Sequence, residues 1–220
     1  MIIERLTVGM FQTNCYLLAD HEHRKAVVID PGAEGKRICS RLEELGLELS
    51  AILVTHAHFD HTMAAWTLKK RCGGEIYLNS EDRKSLLETI FGLAARFFPE
   101  THPVSPDEVD RTLSQGDRLE FGPIRIEVLS TPGHTPGHVS FYLRDQGVIF
   151  SGDLIFAGSI GRTDMAGGSF QQLLDSVRSK LFPLPDETVI YPGHGPSTTV
   201  GEEKKHNPFF SPKGGRTWEF

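Results

Sequence analysis

Thr55-His56-Ala57-His58-Phe59-Asp60-His61 packs four potential metal donors, His56, His58, Asp60 and His61, into six consecutive positions. The segment follows Ala51-Ile52-Leu53-Val54, an apolar run that reads as a short strand buried on both faces. The strand holds the backbone rigid while the loop beyond it can curl. Alternate residues of an extended strand end point the same way, so His56 and His58 share a side, and a curl turns His61 toward them. One histidine beside one acid is an ordinary surface pair. Four donors at this density are a ligand cluster.

Further donors stand after other expected strands. Pro132-Gly133-His134 follows Ile126 to Ser130, Ser151-Gly152-Asp153 follows Val148 to Phe150, and Pro192-Gly193-His194 follows Val189 to Tyr191. A glycine before each donor lets the chain turn sharply. Each of these alone is as readily a structural turn, but with the first cluster they complete five histidines and two aspartates. Seven donors are too many for one tetrahedral site and suit two ions sharing a carboxylate. The mixture fits two divalent ions, zinc first, with iron or manganese also compatible. A closed structural site needs only four ligands, which weighs against the competing class, a non-catalytic metal-binding scaffold.

The rest of the chain reads as strands early in each half with helices after them. Strands are expected at Met1 to Val8, Cys15 to Leu18, Lys25 to Ile29 and Glu75 to Leu78, resuming at Arg118, with others at Ile124 to Leu129, His138 to Leu143 and Thr188 to Tyr191. Helices are expected after Gly35, over Thr62 to Cys72, across Asp82 to Phe98 and from Ser169 to Leu181. Phe91, Leu93, Phe97 and Phe98 read as packing residues more readily than as a lid. Pro99 to Pro106 reads as a loop. The pattern implies two packed sheets with helices outside, one domain over 1–220 with 211–220 a loose tail.

A net charge of −6 argues against nucleic acid bound through a basic surface, which needs clustered Lys and Arg. No apolar run approaches the roughly 20 residues of a membrane span, and the charged start MIIERLTVG reads as a strand and not a signal peptide, so a soluble cytoplasmic protein is expected. Cys15, Cys39 and Cys72 are odd in number and far apart, so reduced, buried thiols are expected. His21, His23, His102 and His206 are expected at the surface without a role. Asp30, in a turn after a buried strand, is either a partner that orients a ligand histidine or a simple turn residue.

His56-Ala57-His58-Phe59-Asp60-His61 resembles the HxHxDH signature of the metallo-β-lactamase superfamily, and the resemblance runs from the first strand to about His206. It implies an α/β fold, a four-layer αβ/βα sandwich, with His56, His58 and His134 on a first metal, Asp60, His61 and His194 on a second, and Asp153 bridging. Within the superfamily the chain is most similar to short stand-alone glyoxalase II proteins, through Asn14-Cys15-Tyr16, Gly161-Arg162-Thr163-Asp164, and His194-Gly195-Pro196 with a later Asn207-Pro208-Phe209. Full-length glyoxalase II departs from it: only 26 residues follow His194, in place of a helical glutathione-binding domain, and Asp164 stands where that family has an aromatic. Persulfide dioxygenases share Gly161-Arg162-Thr163-Asp164 and use one iron on the positions of His56, His134 and Asp153.

The implied reaction is hydrolysis of a thioester such as S-lactoylglutathione, a small-molecule substrate. Two metals roughly 3.5 Å apart share a water, lower its pKa toward about 7, and the hydroxide attacks the carbonyl carbon. Asp60 orients that hydroxide. A thiolate leaves without a dedicated acid, since its thiol has a pKa of about 8.5. Arg162 is the candidate for the substrate's carboxylate, because a guanidinium grips carboxylates bidentately; a salt bridge to Asp164 is the alternative.

Overall fold

Along β2 (Thr13–Asp20) and β3 (Lys25–Ile29), apolar side chains alternate between two destinations. Tyr16, Leu18, Val27 and Ile29 point into a core between two sheets, whereas Leu17 and Val28 face helices on the other side. A period of two with both faces apolar produces a sheet covered on both sides. The computed structural model describes residues 1–20, 22–91 and 104–210, with backbone alone for 87–91.

The first sheet runs β1 (Ile2–Val8), β2, β3, β4 (Glu48–Leu53), β5 (Glu75–Asn79) and β6 (Arg111–Leu113), in that spatial order. β1, β2 and β3 pair antiparallel, and β3 to β6 pair parallel. The second sheet contains β7 (Arg118–Phe121), β8 (Ile124–Ser130), β9 (Val139–Leu143), β10 (Val148–Gly152), β13 (Val189–Pro192) and β14 (Thr198–Thr199), in the order β14-β13-β10-β9-β8-β7. Between β10 and β13 in sequence, β11 (Ile155–Phe156) and β12 (Ser159–Ile160) form a small hairpin.

Helices cover both outer faces. α1 (Gly35–Glu44) and α3 (Ala65–Cys72) bring Ile38, Leu42, Ala65 and Leu68 against Leu17, Val28 and Ile52. α5 (Phe170–Ser176) and α6 (Val200–His206) bring Leu173, Leu174 and Val200 against Tyr142, Ile149 and Ile190. Between α1 and α5 lie the single turn α2 (Phe59–Thr62), α3 and α4 (Ser80–Phe91). The layers are therefore helix, sheet, sheet, helix, the four-layer αβ/βα sandwich expected. Phe141 and Phe150 fill the middle; truncating such a buried aromatic costs about 3–5 kcal/mol.

Local chemistry sets the boundaries. Gly73 and Gly74, both at positive φ, stop α3. Ser169 accepts the amide of Gln172 to start α5, and Thr199 accepts that of Glu202 to start α6. α6 also carries Glu202 and Glu203 in its first turn and Lys204 and Lys205 in its last, matching the helix dipole.

Several expectations are corrected. β6 and α6 were not expected, being too short to establish a period in sequence. The helix after the donor cluster begins at Ala65, because Phe59–Thr62 makes a turn of its own. Cys39 and Cys72 form a disulfide across the packed faces of α1 and α3, with Cα atoms 6.2 Å apart, and only Cys15 is a free, buried thiol. Their separation of 33 residues hides a proximity made by helix packing. The expectations for 211–220, for His21 and His102, for most of 99–106 and for the side chains of Phe91, Leu93, Phe97 and Phe98 fall outside the described residues.

Candidate metal centre

β8, β10 and β13 run in one direction, since β9 is antiparallel to both β8 and β10, and β13 is parallel to β10. Their C-terminal ends deliver His134, Asp153 and His194 to one edge of the second sheet. The end of β4 delivers the segment 56–61 to the facing edge of the first. The sheets are tied there: the Val139 amide donates to Thr55 O at 2.9 Å, and the Asn14 amide to Gly193 O at 2.7 Å. A register shift between Phe150 and Gly152 bends β10 just before Asp153.

The seven expected donors converge. His58 Nδ1 lies 3.1 Å from His56 Nε2 and 2.9 Å from His134 Nε2. His194 Nε2 lies 3.3 Å from Asp60 Oδ2, and His61 Nε2 lies 3.7 Å from the same oxygen. Asp153 spans the two groups, with Oδ1 3.5 Å from His61 Nε2 and Oδ2 3.7 Å from His134 Nε2 and 3.6 Å from His194 Nε2. Donor atoms of His56, His58 and His134, of His56, His61 and Asp153, and of Asp60, His61 and His194 each lie within 4.8 Å of one another. His61 Nε2 and Asp153 Oδ1 are buried without a hydrogen-bond partner. Buried polar atoms left unpaired are costly, and two of them aimed at a ring of further donors fit a pair of cations.

The remaining ring nitrogens are held by the fold. Asp30 Oδ2 lies 3.0 Å from His61 Nδ1, and Asp30 also accepts the Thr55 amide and hydroxyl at 2.8 and 2.7 Å. His134 Nδ1 donates to Arg162 O at 2.7 Å and His194 Nδ1 to Phe11 O at 3.1 Å. Such partners select the tautomer that leaves the other nitrogen free for a metal. Asp30 is thus an orienting partner and not a simple turn residue.

Glycines give the donors room. A Cβ on Gly193 would collide with Asp153 Oδ1, and one on Gly161 with Asp153 O. Asn14 Nδ2 donates to Pro192 O and Gly195 O, and the Tyr16 hydroxyl to Pro192 O, so these residues hold the loop that carries His194.

Electrostatics divide the donors. Burial, then the neighbouring imidazoles, pushes His56 well below its usual range and His58 down to about 4. Burial also opposes the charge on His61, but Asp153, Asp60 and Asp30 outweigh it and raise this histidine. Asp153 and Asp60 resist burial in the same way: surrounding imidazoles, His61 foremost, hold both carboxyls below their ordinary value. Asp60 and Asp153 likewise raise His194 against its burial, so the two carboxylates are the negative focus of the centre, the chemistry that suits cations.

Two contributors were missed in the sequence. Asp82 Oδ2 accepts the Ala57 amide at 2.9 Å and the Thr135 hydroxyl at 2.7 Å, while Oδ1 accepts the Gly137 amide at 2.6 Å. Burial raises this carboxyl although all three donors favour its charged form. His138 stacks on His56 with centroids 5.2 Å apart, its Nδ1 2.9 Å from Thr131 Oγ1. Neither carried a sequence signal: Asp82 sits in a helix start and His138 at an expected strand start.

Arg162 is not gathered into this cluster. Its guanidinium pairs with Asp164 in two bonds of 2.8 Å, and both side chains are exposed, at 62% and 69%. His23 and His206 are exposed as expected. Among the described residues, no helix is long and apolar enough to cross a membrane.

Comparison with known proteins agrees with the fold. The chain is 44% identical over 215 residues to hydroxyacylglutathione hydrolase GloC of Haemophilus influenzae, covering 97% of this chain and 100% of that one. Among solved structures it is similar to BLEG-1, described as a B3 metallo-beta-lactamase, with TM-score 0.86, 37% identity and coverage of 95% and 99%. The di-iron-bound form of TTHA1623 gives 0.83, 42%, and 94% and 99%. ETHE1 from Myxococcus xanthus gives 0.77, 33%, and 94% and 84%. The sequence profile of the metallo-beta-lactamase superfamily matches residues 8–194, from the end of β1 to the last of the seven donors, and the chain belongs to that superfamily.

Proposed function

We propose that this metallo-hydrolase cleaves a thioester, S-lactoylglutathione or a close relative, using two divalent ions, zinc first, with iron or manganese as alternatives. The observation that carries the reading is Asp153, whose carboxylate lies 3.7 Å from His134 of one donor group and 3.5 and 3.6 Å from His61 and His194 of the other, so that one side chain reaches both. The likeness to GloC supports the substrate class. His56, His58 and His134 would hold one ion, and Asp60, His61 and His194 the other. Bound there, the ions would supply Lewis-acid polarisation of the carbonyl and a water of lowered pKa.

The chain's own groups do the positioning. Asp60 orients the attacking water, and the Thr13 hydroxyl fixes its Oδ2 by donating at 3.3 Å. Asp30, Phe11 O and Arg162 O hold three of the imidazoles. Asp30 and Asp82, buried carboxyls beside the centre, are engaged in holding the donors. That arrangement suits a thiolate, which leaves without a proton. The Arg162 guanidinium takes the substrate's carboxylate by exchanging Asp164, because an exposed pair is weakly held against solvent.

The second reading, a one-iron persulfide dioxygenase, is favoured by the likeness to ETHE1 and needs only His56, His134 and Asp153. His61→Ala separates the two, since it removes a donor of the second group and leaves that subset intact. Under hydrolysis, thioester turnover falls at least about a hundredfold, roughly 2.7 kcal/mol, and no oxygen is consumed. Oxygen uptake with glutathione persulfide that survives His61→Ala, together with no thioester hydrolysis by wild type, overturns the hydrolase reading.

A further inference from the structure

Beneath the turn joining β1 to β2 lies a cavity of about 200 Å³, bordered on one side by Asp60. Its walls are largely apolar: Val8, Met10, Phe11, Ala33, Met63 and Ala64. The charged lining residue besides Asp60 is Glu34, whose carboxylate is engaged by the Gly9 amide at 2.8 Å and by Arg37 at 2.7 Å. The cavity therefore offers apolar surface and little unpaired charge to a guest. Its volume exceeds the roughly 150 Å³ that accommodates benzene in an engineered core.

The roof is unusual for a surface turn. Met10 is 73% exposed and Phe11 47%, adjacent apolar side chains at its tip. Neighbouring exposed apolar groups mark a binding surface more often than single ones do. The same turn is joined to the metal centre: the Phe11 ring packs edge-on against Phe59 with centroids 5.0 Å apart, and Phe11 O holds His194 Nδ1 at 3.1 Å. An apolar compartment beside a few convergent polar groups is the usual form of a small-molecule site.

We propose that this cavity is a subsite for an apolar portion of the substrate, about the size of a phenyl ring or short alkyl chain. A carbonyl compound held at the metal centre extends that group past Asp60 and under Met10 and Phe11. The assignment of the group to a substrate rests on the hydrolase reading, whereas the binding of an apolar group does not. It selects thioesters or esters bulkier and less polar on one side of the carbonyl than S-lactoylglutathione is at its lactoyl end.

The methionines supply a direct test. Met10 and Met63 line the cavity, and Met1 and Met165 do not. In the zinc-loaded full chain carrying ¹³C-methyl methionine, benzyl alcohol should shift the Met10 and Met63 signals saturably and leave Met165 unmoved, and methanol should shift none. Two thioester series then locate the group, one lengthening the acyl chain from acetyl to hexanoyl on a fixed small thiol, the other lengthening the thiol on a fixed acetyl. A rise in kcat/KM of at least about tenfold in the first series seats the acyl chain in the cavity; in the second it seats the thiol. Ala33→Leu, which fills the space, should abolish both the gain and the methyl shifts, and Met10→Ala, at an exposed position that folding does not need, should reduce both. Benzyl alcohol that leaves Met10 and Met63 unmoved, or hydrolysis in which neither series gains, overturns the subsite. Saturable methyl shifts with no thioester turned over uphold the cavity and overturn the hydrolase reading instead.

Discussion

Asp82 and Ala57 are joined by a hydrogen bond of 2.9 Å, the Ala57 amide donating to Asp82 Oδ2. Ala57 stands between His56 and His58, and the same carboxylate holds Thr135 and Gly137, just after His134. One side chain at the start of α4 thus locks together two loops from different sheets. Asp82→Ala should lower metal affinity about 10- to 100-fold, the usual effect of losing such a support, read by competition with a chelator. Asp82→Asn, which keeps an accepting oxygen, should recover part of it; equal loss in both variants would mean that bulk and not hydrogen bonding matters.

Asp153 is expected to matter to both ions. Asp153→Ala should leave fewer bound metals per chain than His61→Ala, which touches one donor group, and should abolish turnover. Elemental analysis after dialysis gives the comparison, and two ions retained in Asp153→Ala would remove its shared role.

Arg162 contributes by two separate routes. Its carbonyl holds His134 through the backbone, which substitution leaves in place, while its guanidinium is paired with Asp164. Arg162→Ala should therefore raise KM about tenfold for a carboxylate-bearing thioester and spare kcat, a loss of uniform binding. Asp164→Asn, which frees the guanidinium, should lower KM. An unchanged KM in both variants would leave the arginine a surface residue.

The cysteines give a thiol count. Under denaturing conditions without reductant one thiol should react, and three after reduction. Cys39→Ser should cost about 3–4 kcal/mol, from the loop of 33 residues that the bridge closes. Native Cys15 should resist alkylation, since burial raises its thiol far above the usual range. A raised acid holds its proton longer in the folded state, so this contribution is present below about pH 8.5 and lost as pH rises beyond it. Denaturant titrations from pH 8 to 10 should show stability falling, and less so in Cys15→Ala.

The donor set, the strands that carry it and the layered fold were legible because each leaves a local mark. His56 to His61 is a dense cluster behind an apolar run, and His134, Asp153 and His194 each close a strand with a glycine before them. Sequence by itself thereby determined which donors gather at the sheet edge, since strand ends and sharp turns are set by neighbours in the chain. Only the tertiary structure decided what surrounds them. Asp82 serves loops 25 and 55 residues away, Cys39 meets Cys72 across two helices, His138 stacks behind His56, and the Arg162 side chain turns to Asp164 while its carbonyl serves His134. These contacts depend on how sheets and helices pack, and packing joins residues that no local period or spacing relates.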